Sequence, residues 1–255
     1  MAELSDDVAA HREWLLSFVP FREGIRVVDL GCGTGDDLIA LAARYPRVPA
    51  QLLGVDSSAA STTAAAEQSR ADERLSFRQH RLGTDLPFSD GSFEVVYSNN
   101  LLECLGDREA FLQEVARVLT PDGMVVIAHW DWDSQVFDGS DKARIRRLMH
   151  AFADWQQPWM DHADGWMGRR LWGACTATGL FTGTVHARVL TNTVFAAPWY
   201  GYARAQDLRS LVKRGLAASD DCEQFLQEQT ALAHDGRYFY SITGYVFVGT
   251  RVPSG

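Results

Sequence analysis

Short apolar runs alternate along the chain with segments whose apolar residues recur at helical spacing. Four runs predict buried strands: Ile25–Leu30, Gln51–Val55, Glu94–Ser98 and Met124–His129. A helix is predicted between the last two runs, where Phe111, Val115, Val118 and Leu119 share one face, and Pro121-Asp122-Gly123 closes it with turn chemistry. Repeated strand–helix units of this kind predict an α/β fold on a mostly parallel sheet.

The second half of the chain has a different pattern. Val185–Phe195 and Tyr238–Thr250 predict two strands separated by a helical stretch over about 203–232, which indicates an antiparallel edge added to the parallel sheet. Between the two halves lie six of the eight tryptophans: Trp130, Trp132, Trp155, Trp159, Trp166 and Trp172. We interpret this region as a helical insertion over the carboxyl edge of the sheet, with one helix running from about Lys142 to Gln157 and ended by Pro158.

Composition excludes several classes of protein. The 255 residues are 46% hydrophobic, which is typical of a globular protein and not of a disordered one. The formal net charge of −9 repels phosphate backbones and makes a nucleic-acid partner unexpected. The four scattered cysteines indicate a reducing compartment, and the chain has neither a signal-like start nor an apolar run long enough for a membrane span. We therefore expect a soluble, cytoplasmic protein.

A glycine-rich turn follows the first predicted strand. Gly31, Gly33 and Gly35 let backbone approach a ligand closely, and the N-terminus of the next helix favours negative groups. Asp56, at the end of the second run, can accept both hydroxyls of a ribose. The pattern predicts a nucleoside-containing cofactor, although a tight turn without a ligand would read the same way. The GxGxxG spacing of dinucleotide-binding proteins is absent.

This turn, with Asp29 two residues ahead of it, resembles the first motif of class I S-adenosylmethionine-dependent methyltransferases. Two further stretches follow in the same order. Leu86–Ser98 (LPFSDGSFEVVYS) resembles the LPFxDxSFDxVxS stretch of the small-molecule branch, which includes the quinone-biosynthesis C-methyltransferases. Arg117–Gly123 (RVLTPDG) resembles that branch's RVLKPGG turn.

The resemblance implies a Rossmann-like, doubly wound sheet of seven strands, mostly parallel with an antiparallel last strand. It also implies a single methyltransferase domain over residues 1–255. Within it we expect a cofactor-binding core at 20–130, a substrate-covering insertion at 131–182, and C-terminal strands and a helix at 183–255.

The resemblance further implies S-adenosylmethionine as cofactor and S-adenosylhomocysteine as product. Asp29 would organise the loop or reach the methionine amine through water, Asp56 would hold the ribose, and carbonyls near Ser98 and Asn99 would receive the ammonium. The implied cofactor contacts are Asp29, Gly31, Gly33, Gly35, Asp56, Ser57, Leu82, Gly83, Thr84, Ser98 and Asn99.

One position departs from the family. Leu82 stands where many members have an aspartate that binds the adenine amine. The adenine contact is therefore expected from backbone at Leu82 and Gly83, or from Thr84 or Asp85.

The acceptor is expected beyond the carboxyl ends of the strands. There His129 is the predicted general base and Glu103 would orient an amine, although a buried core histidine and a turn-capping glutamate explain the same residues. The predicted substrate contacts are Asn100, Trp130, Asp131, Trp159, His162 and Trp166.

The stretch His129-Trp-Asp131-Trp-Asp133 has two readings. It predicts an aromatic and acidic wall suited to a cationic amine, or tryptophans packed under the insertion with the acids in water. Its HxDxD spacing also fits a metal, but methyl transfer needs none and no metal is predicted. Trp159, His162, Trp166 and Arg169 fall in a loop predicted as a lid.

These observations predict S-adenosylmethionine-dependent methylation of a small molecule, an amine or indole-type metabolite of specialised metabolism, driven mainly by alignment and desolvation. Oxygen or carbon transfer to a phenolic acceptor is the alternative. A nicotinamide-dependent oxidoreductase is disfavoured by the glycine spacing, and a nucleic-acid methyltransferase by the net charge. A catalytically silent cofactor-binding scaffold is a further class. We expect a small-molecule acceptor, no nucleic-acid or membrane partner, and a homodimer.

Overall fold

The computed structural model describes residues 5–252. Its strands are β1 (Ile25–Leu30), β2 (Ala50–Asp56), β3 (Leu75–Gln79), β4 (Phe93–Asn99), β5 (Leu119–Phe137), β6 (Phe181–Asn192) and β7 (Tyr240–Arg251). Its α-helices are α1 (Asp6–Leu16), α2 (Asp36–Arg44), α3 (Ala59–Ser69), α4 (Arg108–Val118), α5 (Lys142–Ala153), α6 (Met167–Ala177), α7 (Tyr200–Lys213) and α8 (Ser219–His234), with a 3₁₀ turn at Leu102–Cys104.

The strands form one seven-stranded sheet in the order β3-β2-β1-β4-β5-β7-β6. The pairs β1–β2, β1–β4, β2–β3 and β4–β5 are parallel. β7 runs against its neighbours: Asp138 N donates to Phe239 O, and Val252 N donates to Leu180 O at the far end of the strand. The predicted fold, with an antiparallel last strand, is confirmed. This strand lies inside the sheet, however, and β6 forms the edge.

Three strands differ clearly from the prediction. β6 runs from Phe181 to Asn192, whereas Val185–Phe195 was predicted. β3 was not predicted, because its five residues are mostly exposed and give no apolar run. β5 begins earlier than predicted, at Leu119, which was placed on the preceding helix. The register with β4 jumps from Phe93–Leu119 to Val95–Met124, so the predicted turn at Pro121-Asp122-Gly123 falls within a strand irregularity.

The helices of the second half are shorter than predicted. α5 ends at Ala153, four residues before the predicted end at Gln157, and its last turn is closed by the amide of Asp154, which donates to His150 O. The stretch at 203–232 is two helices, because Gly215 adopts a φ of +72° and its amide donates to Val212 O. This is a common glycine-based helix end.

The chain divides into two compact units. The glycine-turn unit comprises Trp14–His129, Arg170–His186 and Val246–Gly255; the tryptophan-rich unit comprises Met1–Glu13, Trp130–Arg169 and Ala187–Tyr245. Each has its own apolar core, built in the first around β1, β2 and β4 and in the second around α5, α7 and α8. The predicted single domain and its internal boundaries stay a prediction.

Candidate functional site

The glycine turn connects β1 to α2 in the glycine-turn unit. Its backbone is fixed to the end of β2, because the amides of Gly31 and Cys32 donate to Val55 O at 2.8 and 3.1 Å. Gly35 has a φ of +76°, and a Cβ there would lie 2.5 Å from the Phe77 ring. Gly35 is therefore required by packing as well as by conformation.

Gly33 is favoured by its backbone conformation alone and not by packing. It has a φ of +52°, and a Cβ on it would meet nothing within 4 Å, so its face of the turn is open. Its amide donates to Oδ2 of Asp56 at 2.9 Å, while Oδ1 of Asp56 accepts from Ser58 N at 2.9 Å. The carboxylate of Asp56 is thus held rigidly beside the open face, and each oxygen keeps a lone pair for a further donor.

Asp29, near the end of β1, lies beside the turn. Its side chain is only 3% exposed, and Oδ1 has no hydrogen-bond partner among residues 5–252. Burial, reinforced by the nearby carboxylates of Asp37 and Asp56, raises the pKa of Asp29 well above its ordinary range. A buried carboxyl oxygen without a donor is costly, and here it marks a place where a ligand's donor or positive charge would fit.

Asp37, in the first turn of α2, was missed by the sequence reasoning. Its Oδ2 accepts from the Tyr97 hydroxyl at 2.8 Å and from Asn99 Nδ2 at 3.2 Å. These bonds join the start of α2 to the end of β4, where the ammonium contact was predicted. The sequence contained a signal, since two consecutive acids, Asp36 and Asp37, follow Gly35 directly.

The electrostatics of the turn oppose an anionic ligand. We expected the N-terminus of α2 to favour negative groups of a ligand. Asp36 and Asp37 already occupy its first turn, so these carboxylates oppose a further negative charge there. With Asp29 and Asp56, the turn is surrounded by acids. Such a site suits a ligand that brings positive charge and an adjacent diol, and it repels a pyrophosphate.

The other predicted cofactor residues occupy separate places. Ser98 is buried and its hydroxyl donates to Leu30 O at 2.7 Å, so it joins β4 to β1. Leu82 is buried at 7% exposure, Gly83 is half-buried, and Thr84 and Ser57 are exposed. All lie in the glycine-turn unit. Their cofactor contacts stay predictions.

The second and third family-like stretches are bound to each other. Arg117 of α4 donates to the carbonyls of Phe88 and Leu86, at 2.7 and 3.0 Å, and pairs with Asp90 at 2.8 Å. Glu114 accepts from the Leu86 amide at 2.8 Å and pairs with Arg117 at 2.7 Å. The sequence reasoning did not identify this clamp, which shapes the loop that follows Leu82.

The two predicted catalytic residues lie together. His129 is 1% exposed, and its Nε2 accepts from the backbone amide of Glu103 at 3.4 Å; Glu103 is itself buried in the 3₁₀ turn. This bond places the ring proton on Nδ1 and occupies the lone pair that a general base would use. Catalysis by His129 would require that bond to break, and both roles stay predictions.

The acidic wall is internally paired in the tryptophan-rich unit. Asp131 is 1% exposed, and both its oxygens accept from Arg169, through Nε and through Nη2 at 2.7 Å. Asp133 accepts from Trp166 Nε1 at 2.9 Å and lies 3.6 Å from His150 Nε2. Neither predicted reading described this, because one left the acids open to an amine and the other left them in water.

The remaining predicted substrate residues are scattered. Trp130 is buried and stacks on the His11 ring at a centroid distance of 4.0 Å. Trp159 and His162 are exposed and share no hydrogen bond, ion pair or ring contact with Asp131 within residues 5–252. Asn100 belongs to the glycine-turn unit, where its amide donates to Ala128 O at 3.0 Å and its φ is +58°.

Two further features bear on function. In the described part of the chain, no three His, Cys, Asp or Glu side chains converge as a metal site would require. No helix within residues 5–252 is long and apolar enough to cross a membrane.

The glycine turn lies in a segment that is similar to known proteins. Residues 27–123 match the family described as a methyltransferase domain. A trans-aconitate 2-methyltransferase of Deinococcus radiodurans is 36% identical over 125 residues, which are 49% of this chain and 45% of that protein. A 2-methyl-6-phytyl-1,4-hydroquinone methyltransferase of Synechocystis is 29% identical over 77% of this chain and 60% of its own length.

Among solved structures, a geranyl diphosphate C-methyltransferase from Streptomyces coelicolor, in complex with S-adenosyl-L-homocysteine, superposes with a TM-score of 0.55. It is 18% identical, over 96% of this chain and 81% of that chain. This likeness shows the fold. The alignments span about half the length of several curated relatives. Together the matches confirm the predicted resemblance to class I S-adenosylmethionine-dependent methyltransferases and agree with the predicted enzyme class and cofactor.

Proposed function

We propose that this protein transfers a methyl group from S-adenosylmethionine to a small-molecule acceptor. One observation carries the proposal: the buried Oδ1 of Asp29 has no hydrogen-bond partner among residues 5–252 and lies close to the carboxylates of Asp37 and Asp56. The cofactor's ammonium and sulfonium groups suit this charge, and Asp56 is oriented for the ribose hydroxyls. When bound, the cofactor supplies an activated methyl group.

The protein's part in the reaction is alignment and exclusion of water. Alignment can supply roughly 7–11 kcal/mol without a dedicated catalytic side chain. In this proposal His129 and Glu103 act only where the acceptor arrives protonated or must lose a proton after attack. Because His129 Nε2 already accepts from the Glu103 amide, a base role requires that contact to open during the reaction.

For the acceptor, we place an indole-type or other electron-rich aromatic metabolite ahead of an alkyl amine. Arg169 pairs with Asp131 and also lies 3.5 Å from Asp133, so one of the two negative charges of the acidic wall is already neutralised and less attraction remains for an incoming ammonium. Trp130, Trp159 and Trp166 remain the proposed aromatic contacts. A phenolic acceptor methylated at oxygen or carbon is the second candidate, favoured by the similarity to a hydroquinone methyltransferase. A cytoplasmic location, specialised metabolism and a homodimer complete the proposal.

Release of S-adenosylhomocysteine from purified protein tests both levels of this proposal. The protein is supplied with S-adenosylmethionine and either alkyl and amino-acid-derived amines or phenols and indoles. We expect turnover with the second pool. Turnover with amines alone, rising with pH and reduced in His129→Asn, would replace the aromatic acceptor by an amine and support His129 as base. Cofactor binding without turnover on either pool would favour the scaffold reading.

A further inference from the structure

The proposed cofactor site poses a charge problem. Asp29 sits in β1 beside Asp37 of α2 and Asp56 of β2, and neither Asp29 nor Asp56 forms an ion pair within residues 5–252. Asp56 accepts hydrogen bonds from two backbone amides, whereas Oδ1 of Asp29 accepts none. A charged Asp29 would thus be buried, unsolvated at one oxygen and next to like charges.

Among residues 5–252, the charged groups that act on Asp29 are both carboxylates and offer no compensating charge. On the turn, the buried thiol of Cys32 has a pKa raised by burial and by Asp29 and Asp56, so it stays neutral. On β4, Tyr97 lies opposite Asp29 in the register, and its hydroxyl donates a hydrogen bond to Asp37 Oδ2. The electrostatic neighbours that act on Asp29 are the carboxylates of Asp37 and Asp56, and both disfavour its ionisation.

We propose that Asp29 is a proton-exchanging element of cofactor recognition: it holds a proton until S-adenosylmethionine binds and releases that proton to solvent when the cofactor's positive charge arrives. The proposal rests on the proposed function. Its balance is simple, because the O–H bond of Asp29 breaks and the proton passes to water or buffer as a cation enters. The total charge around the turn stays constant.

This exchange distinguishes the cofactor from its product. S-adenosylhomocysteine has the same amine, carboxylate and ribose but lacks the sulfonium, so it carries one positive charge fewer. With Asp29 protonated, the site can bind the product without a change in its charge. With Asp29 ionised, the negative carboxylate favours the ligand that carries the sulfonium. Asp29 then contributes to preference for S-adenosylmethionine over S-adenosylhomocysteine and takes back its proton after methyl transfer.

Isothermal titration calorimetry tests the proposal without turnover. S-adenosylmethionine and S-adenosylhomocysteine are each titrated into the protein in buffers of different ionisation enthalpy, at about pH 6.5, below the usual pKa of an α-amino group. We expect release of about one proton with S-adenosylmethionine and clearly less with S-adenosylhomocysteine. Both ligands carry the same α-amino group, so any protons that it exchanges cancel when the proton release of the two ligands is compared. In Asp29→Asn the extra release is lost and the affinity ratio of the two ligands falls several-fold, while Asp122→Asn, at an exposed position of the glycine-turn unit, behaves as the wild type.

The outcomes separate this inference from the proposed function. Failure of S-adenosylmethionine to bind would overturn the proposed function. Binding with an enthalpy that does not depend on the buffer, or with equal proton release for both ligands, would overturn the proton exchange alone. The wild-type comparison needs no variant, so it decides the matter even where Asp29→Asn does not fold. Release that persists in a folded Asp29→Asn protein would move the exchange to another group.

Discussion

Arg117 donates from Nη1 to the carbonyl oxygen of Phe88 at 2.7 Å, and this bond joins two stretches that looked independent in the sequence. The same guanidinium reaches Leu86 O and the carboxylates of Glu114 and Asp90. A planar group with five donors is needed to satisfy such a set. The family-like spacing of these stretches is therefore explained by loop geometry and does not require that their residues touch a ligand.

Replacement of Arg117 by lysine should loosen that loop. Lysine keeps the charge but cannot reach two carbonyls and two carboxylates at once, so we expect a loss of roughly 1.5–3 kcal/mol in the free energy of unfolding. Urea denaturation measures it, with Arg22→Lys, at an exposed position, as the matched control. Equal stability of the two variants would show that the clamp contributes nothing.

Asp56→Ala should weaken binding of S-adenosylmethionine by roughly 1.5–3 kcal/mol, the scale of a hydrogen bond to a charged group. The variant also frees the amides of Gly33 and Ser58, so some loss of order in the turn is expected. Calorimetry of the wild type and the variant gives the difference in affinity. An unchanged Kd would refute the ribose assignment.

Two alanine substitutions in the glycine turn should separate binding from folding. At Gly33 a Cβ meets nothing, so Gly33→Ala should cost only about 1–2 kcal/mol of stability for its left-handed backbone, while it obstructs the open face and abolishes cofactor binding. At Gly35 a Cβ collides with Phe77, so Gly35→Ala should lower the melting temperature considerably more. Thermal melts and calorimetry on both variants check the contrast; equal melting temperatures would contradict it.

Asp29→Asn should stabilise the ligand-free protein near neutral pH. Since folding raises the pKa of Asp29, the folded state keeps a proton that the unfolded chain loses. The contribution of Asp29 to stability is therefore fully present below the ordinary aspartate pKa, about 3.9, and is lost as pH rises from there through the raised value. The gain in melting temperature should shrink as pH falls towards 4, and Asp122→Asn, at an exposed position, serves as the control. A gain independent of pH would indicate a packing effect.

Arg169→Met should destabilise the protein by leaving the buried Asp131 carboxylate without a partner. Removal of one member of a buried pair costs about 3–5 kcal/mol, and the 39% exposure of the Arg169 side chain places the expected loss at the lower end. The double variant Arg169→Met, Asp131→Asn should recover much of it. Denaturation of the three proteins tests this, and a double variant no more stable than Arg169→Met would argue against an ionic origin.

The sequence predicted those elements whose local pattern is strong. β1 was predicted with its observed bounds because a β-branched run meets a glycine turn directly. β3 was missed since Leu75–Gln79 is a short edge strand that buries little. The length of β5 was missed because its turn residues lie in a strand irregularity rather than between two elements.

The candidate site was predictable in part for a related reason. Asp29 and Asp56 were found from their spacing around the glycine turn, which is local information. The ion pair of Asp131 with Arg169 joins residues far apart in the chain, and no periodicity reports such a contact. The link from Asp37 to Asn99 likewise depends on β4 lying beside β1.

The position of β7 between β5 and β6 has a consequence for how the chain acquires its structure. β6 is synthesised before β7, but β7 is its only neighbour in the sheet of the described residues. The backbone donors and acceptors of β6 therefore stay unpaired until β7, which follows α7 and α8 in the chain, has been made. Strand pairing between such distant segments is slow relative to the local β–α–β contacts around β1 and β2. We expect β6 to remain open to pairing with other chains during that interval, and folding yield to depend on protein concentration.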